Sequence, residues 1–252
     1  MSTLTDSQTV ERFHLLFLQQ IGTRFDKKLY SLKGGCNLRF FFRSIRYSED
    51  LDLDVQTMAK QTLRKNVNQI LKFQGFLQIL RANGLSLSFV SEPKQTDTTQ
   101  RWKIHLRLVQ TGAELPTKIE FSRRSFREGV ALEPVDATVA SLHRLRPILT
   151  PHYTLEAAFA QKIEALVGRS KTQARDVFDL KLLFDAGAKA TSMSAKTRLT
   201  LRSACDNAIS VTYADFKGEV VAYLEPEYQK FYGQRAEWEK LQAAVSDRLR
   251  NL

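Results

Sequence analysis

The chain contains few cysteines and few of the prolines and glycines that interrupt helices and strands. Its 252 residues include two cysteines, Cys36 and Cys205, with no Cys-x-x-Cys pair, and four dispersed histidines. This composition argues against a zinc site and a disulfide framework and favours reduced thiols, although two cysteines leave one disulfide open. The six prolines and eleven glycines are also dispersed, so no long disordered linker is indicated.

Long apolar runs are lacking as well. No segment reaches the roughly 20 apolar residues of a membrane-spanning helix. Residues 1–20 show no basic segment followed by a continuous apolar core, so we expect a cytoplasmic protein with no export signal and no membrane association. A hydrophobic content of 43% is enough for one sizeable core or two modest domains.

Acidic residues are outnumbered by basic ones, 27 against 38, for a formal charge of +11. This excess favours a polyanionic partner such as RNA, because Lys and Arg gain affinity by displacing counterions from phosphates. The basic clusters are Arg39, Arg43 and Arg46; Arg123, Arg124 and Arg127; and Arg144 with Arg146. Any single cluster is also typical of a solvent-exposed face. The prediction of a polyanionic partner therefore depends on the total excess of positive charge.

The most informative segment is 32–55, LKGGCNLRFFFRSIRYSEDLDLDV. Side chains of a strand alternate between two faces, so Leu51, Leu53 and Val55 share one face. The opposite face carries Ser48, Asp50, Asp52 and Asp54. Carboxylates this close repel one another, and a divalent cation such as Mg²⁺ or Mn²⁺ with bound phosphates would offset the repulsion.

A glycine pair precedes this strand. Gly34 and Gly35 lead into a helix-like patch from Cys36 to Phe42, and a glycine turn at a helix N-terminus directs backbone N–H groups towards a phosphate. A Gly-Gly pair alone is more often a plain turn, and alternating acids alone are more often a solvated sheet face. A glycine pair followed closely by alternating acids is a more specific indication of a metal and phosphate site than either feature alone.

Three motifs in this order resemble those of the AbiEii/AbiGii-type nucleotidyltransferase toxins, which include the MenT toxins and lie within the DNA polymerase β-like superfamily. Their pattern reads approximately GG-[ST]-x-L, then R-x-S-x-D-L-D-F, then R-D-x-x-D-L on a helix. The matching segments here are Gly34-Gly35-Cys36-Asn37-Leu38, Arg46-Tyr47-Ser48-Glu49-Asp50-Leu51-Asp52-Leu53 and Arg175-Asp176-Val177-Phe178-Asp179-Leu180. The resemblance covers about residues 30 to 185.

The resemblance implies a Mg²⁺-dependent enzyme that transfers a nucleoside monophosphate from an NTP to RNA, with the 3′ end of tRNA as the expected acceptor, and releases pyrophosphate. It also implies a cognate antitoxin and a role in abortive infection and phage defence. Asp50 and Asp52 are expected to be catalytic metal ligands. Gly34, Gly35, Cys36 and Ser48 are expected to bind the nucleotide.

Two positions depart from the family pattern. Cys36 stands where the family has a small hydroxyl residue, and a thiol is a weaker hydrogen-bond partner, which bears on the strength of nucleotide binding. Leu53 replaces an aromatic residue, a change expected to affect packing only.

Residues further along complete the expected site. In the superfamily a third carboxylate comes from a neighbouring strand, and Glu120 in the alternating segment 117–122 fits that place, although an ordinary exposed glutamate fits equally. Lys162 lies within the apolar stripe of a helix, and by resemblance it contacts the nucleotide and takes part in catalysis with Asp176. Arg46, Arg175 and Asp179 are expected to support them, unless these charges form a purely structural network.

Hydrophobic periodicity predicts an α+β fold with a polymerase β-like core, a small, mixed and largely antiparallel sheet with helices, followed by a helical C-terminal domain. We expect helices at 8–21 and 58–82, strands at 85–89 and 102–108 joined by a hairpin connection at 93–99, and a strand at 117–122. The predicted domains are 1–150, the nucleotidyltransferase core, and 151–252, which carries Lys162 and RDVFDL.

Two other functions remain open from the sequence. The same chemistry could place the nucleotide on a protein hydroxyl, or the chain could be a catalytically idle nucleic-acid-binding module. Cys36 leaves the idle module open, whereas Asp50, Asp52, Lys162 and Asp176 argue against it.

Overall fold

A computed structural model describes residues 4–123, 128–190 and 193–252, which include all three motifs. Arg124 and Arg127, predicted as part of a basic cluster, lie outside these ranges. The strands are β1 Tyr30–Lys33, β2 Asp50–Val55, β3 Leu85–Gln95, β4 Thr99–Leu108, β5 Glu114–Ser122, β6 Val130–Pro134 and β7 Leu149–Tyr153. The helices are α1 Asp6–Arg24, α2 Gly34–Phe41, α3 Lys60–Lys72, α4 Gln74–Ala82, α5 Ala137–Leu142, α6 Leu155–Gly168, α7 Ala174–Asp185, α8 Ala195–Leu199, α9 Leu201–Ser210, α10 Tyr213–Glu219, α11 Pro226–Tyr232 and α12 Arg235–Arg250.

Contacts divide the chain into two compact units. The first comprises residues 1–37 and 48–152, and the second comprises 38–47 and 153–252. The sequence prediction had assigned 38–47 to the first domain, whereas the contacts group this segment with the C-terminal helices. Phe42 and Ile45 of the segment pack against the apolar core of those helices.

The first unit is built on a mixed sheet with strand order β3-β4-β5-β2-β1-β7-β6. Strand β2 pairs parallel with β5 and antiparallel with β1, and β1 pairs parallel with β7. Strands β3, β4 and β5 form an antiparallel meander. This arrangement confirms the predicted mixed sheet with helices and puts the acidic strand β2 in its interior, between β5 and β1.

The central strands have one apolar and one charged face. Leu51 and Leu53 of β2 lie level with Ile119 and Phe121 of β5, and all four side chains are buried. Trp102 of β4 packs edge-on against Phe121, with ring centroids 5.9 Å apart. Because side chains alternate along a strand, burial of this face turns the charged residues of β2 and β5 to the other face.

Two predicted elements differ from the observed ones. The helix expected over 58–82 is two helices, because Phe73 adopts an extended conformation (ψ 120°) and serves as the C-cap of α3 and the N-cap of α4. The hairpin is tighter than expected, since β3 continues to Gln95 and β4 starts at Thr99. Pro93 fits within β3 because this strand lies at the sheet edge, where a missing N–H is tolerated.

The second unit is helical around its own apolar core. Helices α6, α7, α9 and α12 supply most of the buried side chains. Phe216 stacks on Trp238 with ring centroids 4.4 Å apart, and Phe178 packs against Phe216. These aromatic residues therefore pack between helices.

Among the described residues, no helix is both long enough and apolar enough to span a bilayer.

Candidate active site

The acidic residues of β2 share one face of the sheet, as predicted. Asp50 lies opposite Lys118 of β5, and Asp52 lies opposite Glu120. On the other side of β2, Lys33 of β1 lies opposite Asp52. The alternation of β2 and its parallel pairing with β5 therefore bring three carboxylates, those of Asp50, Asp52 and Glu120, to one patch of the charged face.

The glycine bend adjoins this patch. Gly34 has a φ of +69°, a backbone conformation that residues with a Cβ atom rarely adopt. A Cβ atom built on Gly34 would lie 2.9 Å from Oδ2 of Asp52. The predicted phosphate cradle and the predicted metal ligand are thus in direct contact, and only a glycine leaves the space between them open.

Most of the carboxylates on this face already have a basic partner. Asp50 pairs with Lys118 at 2.6 Å, and Glu120 pairs with the guanidinium of Arg101 at 2.6 Å. Asp54, the next acid along β2, is buried and pairs with Lys33. Asp54 therefore belongs to a buried ion pair. It lies two residues after Asp52 along β2.

Asp52 differs from its neighbours. Across residues 4–123, 128–190 and 193–252, its carboxylate forms no ion pair or side-chain hydrogen bond. Burial raises the pKa of Asp52, and the charges of Asp50 and Glu120 raise it further, against the opposing influence of Lys33 and Lys118. A carboxylate under these conditions is stabilised by a bound cation.

The side chains of Cys36 and Ser48 are turned towards β2. The Sγ of Cys36 lies 3.2 Å from the carbonyl oxygen of Asp50, and the Ser48 hydroxyl donates to the same oxygen at 2.9 Å. Cys36 is 1% exposed, and burial raises the pKa of its thiol well above the usual value. The predicted contact of Cys36 with a nucleotide would therefore use its backbone N–H, and this contact remains a prediction.

His14, which the sequence reasoning did not single out, lies beneath the strand. Its Nε2 is 2.8 Å from the hydroxyl of Thr117, which donates to the carbonyl oxygen of Glu49 at 2.7 Å. Since that hydroxyl gives its proton to Glu49, Nε2 must be the protonated nitrogen, and Nδ1 faces Cys36 Sγ at 3.5 Å. Burial lowers the pKa of His14 to about 3, so the ring is neutral.

The second unit contains a buried charge network around α6 and α7. The ammonium of Lys162 lies 2.6 Å from Asp179 and 3.0 Å from Asp176. Arg46 donates to both carboxylate oxygens of Asp179, at 3.1 and 3.0 Å, and Arg169 pairs with Asp176 at 2.8 Å. Both aspartates are fully buried.

The network fixes the ionisation of its members. Burial alone would lower the pKa of Lys162, but Asp179 and Asp176 outweigh this effect and raise it. Burial alone would raise the pKa of Asp179, but Arg46 and Lys162 hold it below its usual value. Lys162 and Asp179 are therefore charged. Asp176 and Asp179 lie three residues apart on one face of α7, which brings both carboxylates to Lys162.

Arg169, and not the expected Arg175, is the arginine that pairs with Asp176. The Arg175 guanidinium donates to Gln173 at 2.9 Å, and it makes no ion pair with any residue that the structure describes. Arg169 takes its place beside Asp176. No periodic signal indicated Arg169, because it is the C-cap residue that follows α6.

A ready-made cluster of three or more His, Cys, Asp or Glu side chains in metal-binding geometry does not occur within the described part of the chain. Asp50 and Asp52 alone suit Mg²⁺, which is commonly held by one or two carboxylates together with substrate oxygens. The free carboxylate of Asp52, beside the space that a Cβ on Gly34 would fill, fits such a cation.

A family model described as nucleotidyl transferase AbiEii toxin, type IV toxin–antitoxin system, matches residues 16–250. The chain belongs to this family. The match spans nearly the whole sequence, so the predicted family and the nucleotidyltransferase fold class are both confirmed. A toxin of a toxin–antitoxin system implies an antitoxin partner and, for a nucleotidyltransferase, a nucleotide substrate.

Solved structures agree on the fold of this AbiEii family member. JHP933 from Helicobacter pylori is 18% identical, with a TM-score of 0.62 over 99% of this chain and 96% of that one. A second H. pylori protein, provisionally named a nucleotidyltransferase, is 19% identical, with a TM-score of 0.62 over 97% of each chain. No curated protein is similar enough to count as a match.

Proposed function

We propose that this toxin transfers a nucleoside monophosphate from an NTP to an RNA acceptor, the 3′ end of tRNA, and releases pyrophosphate. The observation that carries this proposal is the Asp52 carboxylate, which lies against the Gly34 bend without a basic partner among the described residues. Family membership supplies the reaction class.

In this proposal Asp50 and Asp52 hold Mg²⁺, with Glu120 as a third acidic group. A divalent cation held by these residues would supply positive charge that offsets the charge developing at the α-phosphorus. Glu120 is level with Asp52 but is held by Arg101, so it can act on the cation only if that pair opens. Asp50 is likewise paired with Lys118, whose ammonium would be available to a phosphate oxygen if Asp50 held a cation.

The first turn of α2 would bind the β- and γ-phosphates. Gly34, Gly35 and Cys36 begin this helix, where the first N–H groups lack helical partners and attract anions. Ser48 helps indirectly, because its hydroxyl donates to the backbone of Asp50 and so fixes that ligand. Positioning and electrostatics of this kind account for most of the catalysis in phosphoryl transfer.

Lys162 and Asp176 are proposed as catalytic residues on the strength of the family resemblance. Arg46, Lys162 and Arg169 pair with the carboxylates of Asp176 and Asp179, and Lys162 contacts both. Asp179, bonded to Lys162 and Arg46, would position the lysine.

The acceptor is proposed from the charge of the whole chain. A formal charge of +11 favours RNA over a protein hydroxyl, because only a polyanion gains from counterion release. Antitoxin binding and growth arrest through blocked tRNA would follow from the family role.

The test is incorporation of label from each α-³²P NTP into total tRNA in the presence of Mg²⁺, with wild type and Asp52→Asn compared. Label that RNase removes, and that the variant does not produce, supports the proposal. Label that only protease removes indicates a protein acceptor. Equal, background labelling by both proteins with tRNA and with cell lysate would contradict nucleotidyl transfer.

A further inference from the structure

The first unit contains a polar cavity formed by residues outside the Gly34–Asp52 site. It has a volume of about 380 Å³ and is lined by Arg12 of α1 and by Arg144, which follows α5. Thr9, Asn83 and Gln110 add neutral polar groups, and leucines such as Leu142 add apolar surface. A cavity of this size, with apolar walls and a few convergent polar groups, is typical of a small-molecule site.

The two arginines are held together by a buried contact one residue away from each. Glu11 Oε1 lies 2.8 Å from Nε2 of His143, and both side chains are almost fully buried. This contact ties α1 to the segment after α5 and so places Arg12 next to Arg144. Arg144 itself has a φ of +55°, an unfavourable conformation for a residue with a side chain, which its surroundings must maintain.

Within the described part of the chain, no carboxylate pairs with either of these two arginines. Among residues 4–123, 128–190 and 193–252, neither Arg12 nor Arg144 forms an ion pair, and the Nε of Arg12 is buried without a hydrogen-bond partner. Burial lowers the pKa of Arg12, and repulsion by Arg144 lowers it further. The nearest acid along the chain, Glu11, is already bonded to His143.

We propose that this cavity binds a phosphate monoester with an apolar or ring-shaped body. Two guanidinium groups supply paired N–H donors that match phosphate oxygens, and a monoester near −2 neutralises both charges where a carboxylate neutralises one. The buried donor of Arg12 gains its partner, and the leucines cover the body of the ligand. The inference does not depend on the proposed transferase activity.

The test uses AMP and ribose 5-phosphate as probes, with inorganic phosphate and adenosine for comparison. Titration calorimetry is done on the full chain in EDTA, which removes divalent cations and so prevents metal-dependent nucleotide binding at Asp52. Asp52→Asn is titrated in parallel. The proposal expects both monoesters to bind wild type and Asp52→Asn equally, and adenosine not to bind.

Arg144→Gln, at an exposed side chain, should weaken binding about tenfold or more, the loss expected for a charge-assisted hydrogen bond. Arg146→Gln, another exposed arginine two residues later that does not line the cavity, should leave it unchanged. Arg12→Gln should also lose binding while the melting temperature without ligand stays equal or rises, since a desolvated, repelled charge is removed. Equal affinity in wild type and Arg144→Gln, or no binding of either monoester to wild type, would overturn the proposal.

Discussion

Gly34 and Asp52 are in such close contact that a methyl group on the glycine would lie 2.9 Å from the carboxylate oxygen. The bend that begins α2 and the acid in the middle of β2 are therefore one structural unit. Any side chain at position 34 must move Asp52 or shift the start of the helix, and both changes disturb the proposed cation and phosphate contacts.

Gly34→Ala is expected to reduce nucleotidyl transfer by about tenfold or more, because small displacements of reacting groups cost that much. Gly112→Ala is the matched control. Its φ of +73° imposes the same backbone cost of about 1 kcal/mol, but a Cβ there meets nothing within 4 Å. Transfer assays and urea denaturation of both variants separate the two effects; similar activity in the two would show that contact with Asp52 is unimportant.

Asp52→Asn is expected to stabilise the protein at neutral pH when no divalent cation is present. The pKa of Asp52 is raised above its usual value of 3.8, so the folded state holds this proton more tightly than the unfolded state. Stability is therefore gained as pH falls through the raised pKa and is lost as pH rises through it, and the variant lacks that loss.

Added Mg²⁺ should reverse this order. At tenfold its dissociation constant the cation stabilises wild type by about 1.4 kcal/mol and leaves Asp52→Asn unaffected. Thermal unfolding with EDTA and with increasing Mg²⁺ or Mn²⁺ measures both effects. Identical Mg²⁺-dependent shifts in the two proteins would place the cation elsewhere.

Local periodicity was sufficient to predict the parts of the site that lie within one element. Asp50 and Asp52 alternate with buried residues of β2, so their common face followed from the pleat. Glu120 lies on β5, and only the family resemblance suggested its place beside them. Asp176 and Asp179 share a helix face for the corresponding reason. The interruption at Phe73 was not predicted, since the apolar pattern of 58–82 continues through it.

Contacts between distant segments could not be predicted in this way. Arg46 and Asp179 are 133 positions apart, and no local pattern pairs them. His14 appears as one member of an apolar helix face, and its bond to Thr117 depends on how α1 packs on β5. Arg169 lies just beyond α6, where a cation signals only a helix end.

His14 predicts a pH dependence of stability. The pKa of His14 is about 3 in the folded state and 6.5 ordinarily. Between these pH values His14 is therefore protonated in the unfolded chain and neutral in the folded chain. Stability therefore falls as pH drops below about 6.5, by about 1.4 kcal/mol per pH unit until the folded pKa is approached. His14→Gln keeps an N–H donor for Thr117 but does not titrate. Its stability between pH 6.5 and 4 should fall less steeply than that of wild type, as measured by urea denaturation; parallel curves would refute a neutral buried ring.

The substitution Asp179→Asn tests how much the buried charge network stabilises the fold of the second unit. The change leaves Lys162 and Arg46 without the anion that both contact, at a cost of about 3–5 kcal/mol for a broken buried pair. Lys171→Gln, which breaks the exposed pair with Asp215, should destabilise the protein far less, because solvent screens surface charges. Because the pKa of Asp179 is lowered, its contribution is present above the usual value of 3.8 and is lost as pH falls through the folded pKa. Urea denaturation at pH 7 compares the two variants, and equal losses of stability would mean that the network is as weak as a surface ion pair.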